Sequence, residues 1–87
     1  MRKRFINTLT TAIENKIAIS IGLETDNFNA IMTDGLPDAM DIEGKNIIIY
    51  AGSDVYTVDT SEIGYNEEDE MFIFYGAHNK MTISFAM

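Results

Sequence analysis

Ile17-Ala18-Ile19-Ser20-Ile21-Gly22-Leu23-Glu24 is the stretch on which the reading of the fold turns. Large aliphatic residues hold every odd position, and small or charged ones every even position. A period of two sends alternate side chains to opposite faces, so this is a strand with one buried face. Immediately upstream the period differs. Phe5, Ile6, Leu9, Ala12 and Ile13 recur at helical spacing, which predicts an amphipathic helix over residues 2 to 15. Arg2, Lys3 and Arg4 put positive charge at the end of the helix that favours negative charge. A helix this short and so disposed depends on docking its apolar stripe.

Downstream the strand period continues. Phe28, Ala30 and Met32 alternate beyond a short connection at Thr25-Asp26-Asn27. Asp34-Gly35-Leu36-Pro37-Asp38 has the chemistry of a turn. Ala39 to Glu43 reads as a short edge strand, and Ile47 to Ala51, apolar on both faces, as a central one. Gly52-Ser53-Asp54 turns the chain into Val55 to Asp59. Thr60 to Glu70 is a polar stretch anchored by Ile63 and Tyr65. Met71 to Tyr75, a turn at residues 76–79, and Met81 to Ala86 complete a last hairpin. The expectation is an α+β fold in one domain, residues 1–87, with an N-terminal helix and a six- or seven-stranded antiparallel sheet or small barrel. A helix followed by strands in this order is similar to Sm-like barrels, a likeness of element order alone, which implies assembly into rings.

Fourteen acids face six cations, and the overall charge is -8. Beyond the basic head only Lys16, Lys45 and Lys80 remain, so the body carries a net of -11. Such a surface repels nucleic acid and anionic lipid and is drawn to basic partners. With 46% apolar residues and nine aromatics the chain can bury a core. No cysteine is present, which removes disulfides and thiolate metal sites and fits a reducing compartment. No stretch approaches the ~20 apolar residues of a membrane span. A cytoplasmic location is expected.

Two acidic groups stand out. Glu67-Glu68-Asp69-Glu70 is the densest, and reads either as a solvated loop guarding the apolar run after it or as a contact surface imitating phosphates. Asp34, Asp38, Asp41 and Glu43 surround the Gly-Leu-Pro turn without the pattern of a calcium loop. His78 is the sole histidine, placed in a turn with no nucleophile or acid at a telling spacing. Phosphate loops, zinc spacings and nucleophile elbows do not occur, so no catalytic residue, cofactor or metal is expected. Arg2, Lys3 and Arg4 are expected to serve as a solubilising head, open to pairing with acids of the body or of a neighbouring copy.

The expected function is that of a small acidic, non-enzymatic binding protein occupying a basic, nucleic-acid-binding surface of a partner. Its contacts would be the two acidic groups, with Tyr65 and Tyr75 as anchors. In size and charge the chain resembles phage inhibitors of host defence, including anti-CRISPR proteins, and that likeness implies competition with nucleic acid. The alternative is a structural module, a small barrel forming a homo-oligomer or virion component through the apolar row Met81, Ile83 and Phe85.

Overall fold

The computed structural model describes residues 1–25 and 29–86, with the backbone alone at 29–33. It shows an α+β fold with one helix, α1 (Arg2–Asn15), and eight strands. These are β1 (Ile19–Thr25), β2 (Asn29–Gly35), β3 (Ala39–Glu43), β4 (Asn46–Ala51), β5 (Asp54–Asp59), β6 (Ile63–Asn66), β7 (Met71–Tyr75) and β8 (Asn79–Phe85). The ladders form two antiparallel sheets, ordered β2-β1-β8-β7-β6 and β3-β4-β5. Pairing is thus divided between two sheets, where the sequence left one sheet or one small barrel open. The strand number also exceeds the five that the Sm-like order implies. Phe28 and the connection expected at residues 25–27 lie largely outside the described residues.

The helix occupies the expected span and lacks the usual aids at its start. Met1 makes no side-chain cap and no acid lies in the first turn. Thr8, Thr10 and Thr11 donate their hydroxyls back to the carbonyls of Arg4, Ile6 and Asn7, a pattern that does nothing for helix stability. Docking holds the helix instead. Phe5, Leu9 and Ala12 are buried, and Phe5 meets the rings of Phe72 and Phe74 edge-on at 5.2 and 4.8 Å. The helix stops where Lys16 turns left-handed at φ 55°, with the amides of Lys16 and Ile17 both bonding the Ala12 carbonyl. This stop delays β1 to Ile19, two residues later than the alternation alone indicates.

The core lies between the sheets. Ile19, Ile21, Phe72, Phe74 and Ile83 reach it from the larger sheet, and Ile47, Ile49, Tyr56 and Val58 from the smaller. β4 is central in its sheet, as expected, but only one of its faces is buried. Ile47, Ile49 and Ala51 point inward, whereas Ile48 and Tyr50 are partly exposed on the outside. β6 was not expected to be a strand. Its four residues pair with β7, Ile63 opposite Phe74 and Tyr65 opposite Phe72. The hairpins β3–β4 and β4–β5 each use two turn residues opened by a glycine at positive φ, Gly44 at 60° and Gly52 at 65°. Glycine at the first turn position matches the right-handed twist of the flanking strands.

A candidate acidic interface on the smaller sheet

Register decides which acids stand together. Across the smaller sheet Asp41 lies opposite Ile48 and Ile48 opposite Thr57; Tyr50 lies between Ala39 and Val55. Glu43, Asn46 and Asp59 make the third row. These nine positions form the outward face of β3-β4-β5, since Met40, Ile47, Ile49, Ala51, Tyr56 and Val58 among their alternates pack in or against the core. At its centre are Ile48 and Tyr50, both partly exposed, beside Val55 at 58% exposure. Asp41 and Glu43 border this apolar patch on one side and Asp59 on the other.

Three aspartates of this sheet, Asp38, Asp41 and Asp59, are held in place. The Tyr50 hydroxyl donates to Asp41 Oδ2 at 3.0 Å, which raises the phenol pKa, with desolvation and the nearby charges of Asp41 and Glu43 adding to the shift. The Gly52 amide donates to Asp38 Oδ2 at 2.7 Å, tying the β4–β5 turn to the entry of β3. Asp59 has a lowered pKa. Hydrogen bonds from Ser61, side chain and then backbone, outweigh desolvation, and Lys45 adds attraction at 3.8 Å. Asp34 is exposed at the end of β2, so it belongs to the larger sheet.

The second acidic run stands elsewhere, in the β6–β7 turn of the larger sheet. The amides of Glu68 and Asp69 donate to Asn66 Oδ1 at 3.0 and 3.1 Å, and Glu70 adopts φ 52°. Glu67, Glu68, Asp69 and Glu70 are therefore wound into a tight turn, where a phosphate-like row would need extended chain. Tyr65 is partly buried between two groups, with Phe72 edge-on at 4.9 Å and the Arg4 guanidinium 4.1 Å from its ring centroid. Tyr75 is exposed and lies against Gly64, where an added Cβ would come within 3.2 Å of its ring. Of the two tyrosines singled out in the sequence, Tyr75 is the more exposed.

The basic head also differs from expectation. Arg2 donates from Nε to the Thr60 hydroxyl at 3.0 Å and from Nη2 to the Gly44 carbonyl. Arg4 stacks on Tyr65. Both cations clamp the helix to the sheets through a hydroxyl, a carbonyl and a ring. Met81, Ile83 and Phe85 form part of the inner face of β8. Ile83 is completely buried, and Met81 and Phe85 pack against the core. Within one chain the row thus packs on the core, with Met81 and Phe85 partly buried.

His78 is exposed in the β7–β8 turn. Among the described residues no group of three or more histidines and acids is placed to hold a metal ion, and no helix is long and apolar enough to cross a membrane. Surface clefts enclose about 120 to 310 Å³, mostly below the ~300–1,000 Å³ of small-molecule sites. The outward face of the smaller sheet is thus a better candidate than these clefts. Sequence reading missed Ile48, Tyr50, Val55 and Asp59 as members of this face. The alternation of β4 carries a signal for the first two, and a two-residue turn at Gly52-Ser53 carries one for Val55, since it sets Tyr50 opposite Val55. No protein-family model, curated protein or solved structure matches the chain.

Proposed function

We propose that this chain is a non-catalytic binding protein that applies the outward face of β3-β4-β5 to a basic surface of a partner. The surface in question is of the kind that otherwise holds nucleic-acid phosphates, so the action is competitive inhibition of a nucleic-acid-handling protein, in a cytoplasmic setting. The observation that carries the reading is the apolar patch of Ile48, Tyr50 and Val55 bordered by Asp41, Glu43 and Asp59. Interfaces commonly combine a desolvated apolar centre with a polar rim, and tyrosine is among the residues that dominate binding energy. The carboxylates speed association and fix orientation, and the net charge of -8 repels free nucleic acid.

Affinity capture from nuclease-treated lysate at low and high salt tests this. Retention of a basic nucleic-acid-binding protein at low salt, lost in the pair Asp41→Asn and Glu43→Gln but kept in Glu67→Gln and Glu68→Gln, is the expected result. Retention indifferent to the first pair, or recovery of no basic protein, overturns the proposal.

A further inference from the structure

The same sheet has an edge whose chemistry narrows what the partner presents. We infer that the free edge of β3 accepts an extended segment of the partner in which basic and apolar residues alternate, adding a fourth strand to β3-β4-β5. The inference rests on the function proposed above and specifies its mode of binding.

β3 pairs with β4 alone among the described residues, so one side of its backbone is open. The two-residue turn at Gly44-Lys45 sets the direction of the backbone groups. In such a hairpin the flanking pair, Glu43 and Asn46, exchanges both backbone bonds, and bonded pairs then alternate along the ladder. Asp41 therefore bonds across to β4, while the amides and carbonyls of Met40 and Ile42 face outward from the edge.

Side chains alternate in the complementary sense. Asp41 and Glu43 are exposed on the outer face; Met40 packs against the core and Ile42, on the inner face, remains 49% exposed. An incoming strand would set alternate residues beside Asp41 and Glu43, where cations are favoured, and the intervening ones beside Ile42, where apolar groups are favoured. Strand addition of this kind draws affinity from the backbone and specificity from alternate side chains.

The edges at β6 and β5 are less suited. β6 has four residues and its Tyr65 is already occupied by Arg4 and Phe72. On β5, Asp59 is engaged by Lys45 and Ser61, and Tyr56 and Val58 are buried. A second copy is disfavoured at β3, because its own carboxylates would be brought beside Asp41 and Glu43. The acids at this edge thus block self-association and select a cationic strand.

The test uses the full chain, a six-residue peptide alternating lysine and valine, and a hexa-arginine peptide as a charge-only control. The alternating peptide should bind more tightly, and the amides of Met40 and Ile42 should exchange hydrogen more slowly in its presence. Ile42→Pro removes an outward amide while leaving the bonds to β4, and should weaken the alternating peptide about tenfold, the loss expected for a backbone hydrogen bond. Hexa-arginine binding should change little. Alternating-peptide binding that neither protects these amides nor responds to Ile42→Pro overturns strand addition and leaves the acidic face standing. Failure of the wild-type chain to bind either peptide overturns both. The exchange measurement needs only the wild-type protein, so the test survives if the proline variant fails to fold.

Discussion

Arg2 shows how a residue's neighbours redefine it. Three cations in the first four positions suggest a loose charged head, yet Arg2 joins the helix to the β3–β4 turn and to Thr60. Thr60 in turn bonds the Lys45 carbonyl from both its hydroxyl and its amide, at 2.6 and 2.8 Å. Arg2→Ala should cost about 1 kcal/mol in denaturant melts, since the bonds are charge-assisted but the guanidinium is exposed. Lys3→Ala is the control, expected within about 0.5 kcal/mol of wild type. Lys16 offers the opposite case. Its left-handed conformation suits glycine, so Lys16→Gly should stabilise the chain by about 0.5–1 kcal/mol, visible as a higher melting temperature. Tyr50 gives a titration. Its phenol is held above the ordinary 10.0 by the hydrogen bond to Asp41. A raised folded pKa means a contribution fully present below the unfolded value and lost as pH rises through the folded one. Ultraviolet titration should show this phenol ionising late, and Asp41→Asn should bring it back toward the ordinary range. Asp41 was legible as an acid in a cluster. Its partner was not, because Tyr50 lies nine residues away and meets it only through the β3–β4 register.

Among the elements, the helix was the most legible and is the most dependent on the rest. Its 3.6-residue period is a local property, and the buried residues Phe5, Leu9 and Ala12 are those the period singles out. Yet nothing at its N-terminus stabilises it alone, so its formation is coupled to burial of Phe5 among Phe72, Phe74 and Phe85. Phe5→Ala should cost about 3–5 kcal/mol, a large share of the ~4–13 kcal/mol expected for a chain of this length. Calorimetry should find the melting temperature lowered by more than about 10 °C. A variant that melts near wild type would show the sheets to be self-sufficient. β6 is the converse. Glycine and asparagine make Ile63-Gly64-Tyr65-Asn66 a poor strand by propensity, and it exists because β7 offers an edge beside it. Gly64 is also where the Tyr75 ring approaches, a contact that no pattern in residues 60–70 announces. β4 was placed correctly at the centre of its sheet and is apolar on both faces, yet only one is buried, because Ile48 resembles Ile47 and Ile49 in composition and differs only in which way it points.

For the molecule as a whole, charge is the dominant long-range quantity. A net of -8 on 87 residues repels itself, and the ion pairs Lys80–Glu24 and Lys45–Asp59, at 3.3 and 3.8 Å, are exposed and contribute little. The melting temperature should therefore rise as salt increases from about 10 mM to 150 mM, as the Debye length falls from ~30 to ~8 Å. A melting temperature that falls would mean attraction outweighs repulsion in the folded state. From local order along the chain, the sequence determined the helix, most of the strands, the glycine turns and the sign of the surface, since each depends on residues a few positions apart. Tertiary structure alone decided that pairing divides into two sheets and that the row through Ile83 turns inward. It alone brought Asp41, Glu43, Ile48, Tyr50, Val55 and Asp59 to one face. The physical reason is that neighbours across a ladder are chosen by register and by competition for burial, and neither is encoded in the spacing of any single segment.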